Sequence, residues 1–221
     1  MEIKVNNLSK KLSNNIVLDD INIDLYSGKI YGFVGKNGSG KTMLMRAICG
    51  LILPTSGCVK IDGKVIGKDI SFPKSVGALI ENPGFISSYS GFKNLKTLAQ
   101  IKNEISDDDI ISILEQVGLD PYNKKSFRKY SLGMKQKLGI ACAMMENPKL
   151  LILDEPFNGL DEESVDKVRQ LIMERRGKDS LTIISCHDSD EIDKICDEII
   201  TIKLGKIVSV EDNKRDNKDE N

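Results

Sequence analysis

Residues 30–42 read Ile30-Tyr31-Gly32-Phe33-Val34-Gly35-Lys36-Asn37-Gly38-Ser39-Gly40-Lys41-Thr42, a short apolar run that enters a glycine-rich turn and leaves it on Lys-Thr. The turn from Gly35 to Thr42 matches the pattern G-x-x-x-x-G-K-[ST]. The run before it has the length and apolarity of a strand, and Met43, Leu44, Ala47 and Ile48 recur at helical spacing until Gly50. Strand, glycine-rich turn, helix is the setting that makes such a motif a phosphate cradle. Glycines let successive backbone N–H groups curl around phosphate oxygens, the helix N-terminus adds its dipole, and Lys41 brings a point charge to the β and γ phosphates. The expected nucleotide contacts are therefore Gly35, Lys36, Asn37, Gly38, Ser39, Gly40, Lys41, Thr42 and Met43, with the Thr42 hydroxyl left to hold Mg2+.

A Mg2+-nucleotide site needs a second metal group, and Leu150-Leu151-Ile152-Leu153-Asp154-Glu155-Pro156 offers one at the C-terminal end of an apolar strand, where ligands sit in open α/β sheets. Asp154 is expected to hold Mg2+ through water. Glu155 follows it immediately and is placed to orient or deprotonate the water that attacks the γ-phosphate.

Outward from these two anchors the chain changes character by region. Ile21, Ile23 and Leu25 alternate as on a half-buried strand, and residues 58–66 form a hairpin around Asp62-Gly63, so an antiparallel β element is expected early. From about 83 to 147 the pattern is helical: Ser106 can cap a helix bearing Ile110, Ile111, Leu114 and Val117 that closes at Gly118, and Leu138, Ala141, Cys142 and Met145 mark another. From Lys149 strands and helices alternate again. Leu150 to Leu153 is followed by a helix face of Val165, Val168, Leu171 and Ile172, then by the strand Leu181 to Ser185. The expected fold is α/β: one domain over 1–210 with a mostly parallel core sheet, an N-terminal antiparallel β subdomain and an α-helical insertion. The last residues, 211–221, read EDNKRDNKDEN without one apolar side chain, so a disordered charged tail is expected.

Composition narrows the chemistry. Among 221 residues, 32 Lys and Arg balance 33 Asp and Glu, which gives no electrostatic footprint for nucleic acid. The sequence holds a single histidine, His187, so a His triad or a His-rich metal site within one chain is excluded. Five cysteines, at 49, 58, 142, 186 and 196, include no CxxC pair, and the start MEIKVNNLSK lacks the apolar core of a signal peptide. Reduced, buried thiols in a cytosolic protein are expected. No apolar run approaches the ~18 to 20 residues that cross a bilayer.

Tyr130-Ser131-Leu132-Gly133-Met134-Lys135-Gln136 precedes a helix, and Asn158-Gly159-Leu160-Asp161 follows the acidic pair. Together with the phosphate loop, the acidic strand end and His187 just beyond the next strand, these segments resemble the ATP-binding cassette (ABC) ATPases from about residue 2 to 210. The resemblance implies ATP and Mg2+ as cofactors and a dimer in which each ATP lies between the phosphate loop of one subunit and the signature segment of the other. Ser131 and Gly133 would offer a hydroxyl and backbone N–H groups to the γ-phosphate; read without the family, Ser131 is a helix cap, and both roles are compatible. Asp161 would be the acid of the dimer-crossing loop, and His187 the switch histidine that contacts the γ-phosphate beside Glu155. A second nucleotide-binding subunit, most simply an identical one, and membrane permease subunits are the implied partners. The implied location is the inner face of the cell membrane, reached through the permease.

Three positions depart from the commonest family pattern. Glu81, in Ala78-Leu79-Ile80-Glu81-Asn82-Pro83-Gly84, stands where most members place glutamine, and its carboxylate is an expected Mg2+ or metal-water ligand. The signature reads Ser-Leu-Gly-Met in place of Ser-Gly-Gly-Gln. Both departures resemble the branch that exports bacitracin-like peptides or confers immunity to lantibiotics; the alternative is a soluble ABC-type ATPase in an assembly that transports nothing. The adenine-stacking aromatic position is occupied by Leu12, with Tyr26 and Tyr31 as other aromatic candidates. Phe92, Leu95, Leu98 and Ile101 follow helical spacing in the insertion, and either a cytoplasmic helix of a permease or the insertion's own core accounts for them.

Overall fold

The computed structural model describes residues 1–81, 84–177, 179–186 and 189–213. The long first strand β1 (Glu2–Leu12) turns at Ser13 into β2 (Asn15–Tyr26), and β3 (Ile30–Val34) feeds the glycine-rich turn and helix α1 (Lys41–Ile48). The hairpin follows as β4 (Ser56–Ile61) and β5 (Lys64–Val65), and then β6 (Val76–Leu79). The described span between β6 and the next strand contains only helices: α2 (Gly91–Lys102), α3 (Asp107–Gln116), a short 3-10 turn at Phe127–Lys129 and α4 (Leu132–Met144). Strand and helix then alternate through β7 (Leu150–Asp154), α5 (Glu162–Met173), β8 (Leu181–Cys186), α6 (Ser189–Ile195), β9 (Glu198–Lys203) and β10 (Lys206–Asp212).

Two sheets result. β2-β1-β4-β5 is antiparallel, and β10-β9-β3-β8-β7-β6 is parallel except for the β9–β10 hairpin at its edge. The runs IYGFV, LLILD and LTIISC are buried along almost their whole length, as expected of central strands covered on both faces. Successive side chains on β7 divide between two cores because a strand alternates faces. Leu150 and Ile152 pack with Phe33, Leu44, Ile48 and the antiparallel sheet, whereas Leu151 and Leu153 pack with Leu95, Leu114 and Leu138 of the helices.

The helix α3 begins with a full capping box: the Ser106 hydroxyl accepts from the Asp109 N–H, and the Asp109 carboxylate accepts from the Ser106 N–H at 2.8 Å. In α2, Leu95 is fully buried while Leu98 and Ile101 stay open to solvent. Only part of that apolar stripe therefore serves the chain's own core. The expected tail boundary at 211 falls inside the last strand. Glu211 and Asp212 pair with Ile199 and Glu198, and the Asn213 side chain donates to the carbonyls of Asp193 and Cys196, so the order reaches at least Asn213.

Contact between α4 and the sheet depends on one glycine. A Cβ built on Gly77 would stand 1.7 Å from the carbonyl oxygen of Ala143, a backbone atom that cannot step aside. Gly77→Ala is expected to push α4 off β6 at a cost of about 3 kcal/mol, which a thermal melt reads as a loss of several degrees or as failure to fold; an unchanged melt would contradict this packing.

Candidate functional site

Three neighbouring parallel strands deliver the site. In register, Val34 lies opposite Cys186 and Asp154 opposite Ser185, so β3, β8 and β7 end side by side with the phosphate loop and the acidic pair above them. These C-terminal ends border a cavity of about 230 Å³ lined by Val17, Asp154, Glu155 and residues 37–43.

The loop is shaped for an anion. Gly35 is required by close approach, since a Cβ there would stand 2.2 Å from the carbonyl oxygen of Ile202. Gly40 precedes α1 at φ +114 with no side-chain cap, so the N–H groups of the first turn remain without intrahelical acceptors. The Lys41 ammonium is buried, donates to Gly35 O at 2.6 Å and stands 3.9 Å from a Glu155 carboxylate oxygen. Among the described residues, the buried Ser39 hydroxyl has no hydrogen-bond partner. A cradle of donors and positive charge with an unanswered hydroxyl fits phosphate oxygens.

At the strand end, the Thr42 hydroxyl donates to Asp154 Oδ2 at 2.6 Å, and the Ser185 hydroxyl donates to the other carboxylate oxygen. A hydroxyl and a carboxylate in contact are the hard oxygen donors that suit Mg2+, which takes its remaining ligands from phosphate and water. No group of three or more His, Cys, Asp or Glu among the described residues forms a cage for a metal. The donor set thus suits a cation that arrives with a polyphosphate.

Glu155 adopts φ +52, the left-handed region that side-chain-bearing residues occupy at a cost of about 1–3 kcal/mol. Its N–H donates to the Ser185 hydroxyl at 3.0 Å, and its carbonyl accepts from the Gln136 side-chain amide at 2.9 Å. Ser185 and Gln136 thus hold the Glu155 main chain, and neither is among the site residues expected from the sequence. For Ser185 a signal existed: a hydroxyl in the otherwise apolar run LTIISC must find a partner, because an unpaired buried polar group is costly. Nothing local marks Gln136, whose acceptors lie 19 and 20 residues away.

Glu81 stands apart from the other expected metal ligands. It takes φ +60 beyond β6, and its carboxylate pairs with Arg46 of α1 at 2.7 Å, outside the lining of the cavity. In this structure the carboxylate expected to reach a metal or its water forms an ion pair with Arg46. Leu12 lies 45% exposed at the end of β1, and neither it nor Tyr26 nor Tyr31 lines the cavity. Tyr31 is fully buried with its hydroxyl accepting from the Tyr26 N–H at 2.8 Å, which removes it as a base platform. Val17 is the apolar side chain that β2 contributes.

The signature segment sits apart from the phosphate loop of its own chain. Ser131 caps α4, accepting from the Met134 N–H at 3.2 Å, and Asp161 caps α5, accepting from the Ser164 N–H at 2.9 Å. Those hydrogen bonds from Ser164 hold the Asp161 carboxyl below the usual carboxylate range. Ser131 and Asp161 are exposed and Gly133 half-buried. His187 lies outside the described residues. None of the five cysteines is bonded to another; burial pushes the Cys49 thiol up to about 12 and the Cys142 thiol up to about 11, so both stay protonated and serve as packing groups. Among the described residues, no helix is long and apolar enough to cross a membrane.

Residues 18–158 match the family model described as ABC transporter. The chain is 44% identical over 209 residues, 95% of its length and 96% of the relative's, to the uncharacterized ABC transporter ATP-binding protein YybJ of Bacillus subtilis (strain 168). It is 41% identical over 208 residues to the bacitracin transport ATP-binding protein BcrA of Enterococcus faecalis, covering 93% of this chain and 68% of that one. It is 34% identical over 207 residues to the lantibiotic transport ATP-binding protein SrtF of Streptococcus pyogenes, covering 93% and 89%. In fold it superimposes on a dimeric ATP-binding cassette bound to ADP and Pi with a TM-score of 0.86, at 20% identity over 97% of this chain and all of that one.

Proposed function

The chain belongs to the ABC transporter family as an ATP-binding subunit, and from that premise we propose that it hydrolyses ATP to drive a membrane exporter of antimicrobial peptides of the bacitracin or lantibiotic type. The observation that carries hydrolysis is the convergence of Lys41, Thr42, Asp154 and Glu155 on one cavity. Lys41 and the first-turn N–H groups of α1 bind the β and γ phosphates. Thr42 and Asp154 would hold Mg2+, which would supply charge neutralisation to the transferring phosphoryl group. Glu155 orients the attacking water and accepts its proton. His187 would contact the γ-phosphate beside it. The exposed caps Ser131 and Asp161, with Gly133, would meet a second copy of the chain, whose nucleotide would receive the N-terminus of α4.

Export of peptides is supported by the Glu81 and Ser-Leu-Gly-Met departures and by the names of the relatives. A permease must supply the membrane path, and the open Leu98 and Ile101 of α2 offer apolar surface to it, placing the chain at the inner face of the membrane. Purification of the tagged chain from detergent-solubilised membranes tests this: recovery with a multi-spanning permease is expected, whereas recovery with a soluble assembly and no membrane protein would favour the non-transporting alternative.

The Arg46–Glu81 pair joins α1 of the nucleotide site to the junction with the helical insertion. Glu81 is accordingly a coupling residue in this proposal. Glu81→Ala is expected to leave ATP hydrolysis by the isolated chain within about twofold, since an exposed ion pair contributes little by itself, while peptide resistance falls clearly; equal losses of both would contradict it.

A further inference from the structure

Gln136 lies in the second turn of α4 and points at the acidic strand end. Its amide nitrogen donates to the carbonyl of Glu155 at 2.9 Å and to that of Pro156 at 3.1 Å, both half-buried contacts. Glu155 is also held from behind, where its N–H donates to the Ser185 hydroxyl. The residue thus sits at a left-handed φ with its N–H fastened to β8 and its carbonyl fastened to α4. A left-handed conformation at a non-glycine residue persists only where surrounding groups over-determine it.

The first turn of α4 grips the same segment further on. A Cβ on Gly133 would meet the Gly159 carbonyl at 2.8 Å, and one on Gly159 would meet the Leu132 side chain at 2.8 Å. Leu132, which departs from the family's glycine, therefore packs on Gly159. Residues 155–159 are clasped by one helix end at both of their own ends. That helix end starts at Ser131.

We propose that Gln136 is a positioning residue that locks the Glu155 main chain in its catalytic conformation and makes the hydrolytic carboxylate of one nucleotide site move as one piece with the helix N-terminus presented to the other. The coupling half of this inference rests on the sandwich dimer of the proposed function; the locking of Glu155 does not. A γ-phosphate at the N-terminus of α4 would draw on that turn, and the two amide hydrogen bonds carry the displacement to Glu155. Loss of the γ-phosphate from one site would then release the base in the other.

Gln136→Leu keeps the side-chain volume and removes both donors. We expect kcat for ATP to fall roughly 30-fold, the loss of two neutral hydrogen bonds to the transition-state geometry, with KM within about twofold. Gln136→Glu keeps shape and polarity without the donors and should show the same split, so the measurement survives a poorly folded leucine variant. Unchanged kcat, or KM and kcat altered together in both variants, would overturn the positioning role. For the coupling, Ser131→Ala should lower kcat about tenfold in the wild-type background and less than about threefold in the Gln136→Leu background; losses that simply multiply would overturn it. Failure of the wild-type chain to dimerise with ATP would instead remove the sandwich reading and leave the kcat result to judge Gln136 alone.

Discussion

Glu155→Gln is expected to abolish steady-state ATP turnover by about 10²- to 10⁴-fold, the range that a positioned general base supplies, while ATP binding and ATP-driven dimer formation survive. The physical reason is the division of labour in the cavity. In the proposed function phosphate binding falls to Lys41, Ser39 and the N-terminus of α1, and metal binding to Thr42 and Asp154, so none of it needs the Glu155 charge. The glutamine keeps the shape at a residue whose main chain is fixed by Ser185 and Gln136, so its amide occupies the same place without accepting the proton. Phosphate release and size-exclusion chromatography with ATP read both halves. A variant that still turns over at the wild-type rate would remove Glu155 as the base, and one that no longer binds ATP would show that its charge serves binding instead.

Lys41→Ala should fail one step earlier. The ammonium is buried over the loop and is the cation placed within the phosphate cradle, so its removal deletes charge-assisted bonds to the β and γ phosphates. With about 1.5–3 kcal/mol for such bonds, the Kd for Mg-ATP is expected to rise roughly 10- to 100-fold. The fold should persist, because the Lys41 ammonium donates to carbonyls of its own loop and pairs with the Glu155 carboxylate within the site, outside the two hydrophobic cores. Fluorescent-nucleotide titration beside a thermal melt separates the two. Wild-type affinity in the variant would mean that the cradle binds through its backbone alone.

Much of this site is legible in the sequence because its parts are local. The strand, turn and helix around Gly35–Thr42 and the acidic end of Leu150–Asp154 each announce themselves within a dozen residues, and parallel pairing then brings them together. What escapes is set by distance and by irregular backbone. Gln136 and Ser185 act on residues 19 to 31 positions away, so no window of sequence contains both partners. The Arg46–Glu81 pair is likewise invisible until α1 and the end of β6 are neighbours. In the antiparallel sheet, Leu18 and Ile21 are both buried although three residues apart, which a period of two forbids; positive φ at Asp20 marks the bulge that restores the register. β10 is hidden in the sequence for a different reason. The charge of residues 211–221 suggested disorder, whereas the first of them complete the ladder on β9.

Whether ATP hydrolysis by this chain powers peptide export is decided in living cells, by replacing Glu155 with Gln on the chromosome that encodes it. The inhibitory concentrations of bacitracin and of a lantibiotic panel are measured beside those of a wild-type strain and a deletion strain. The Glu155→Gln strain is expected to become as sensitive as the deletion strain toward at least one of these peptides. Resistance at the wild-type level in the Glu155→Gln strain, with the deletion strain sensitive, would contradict it.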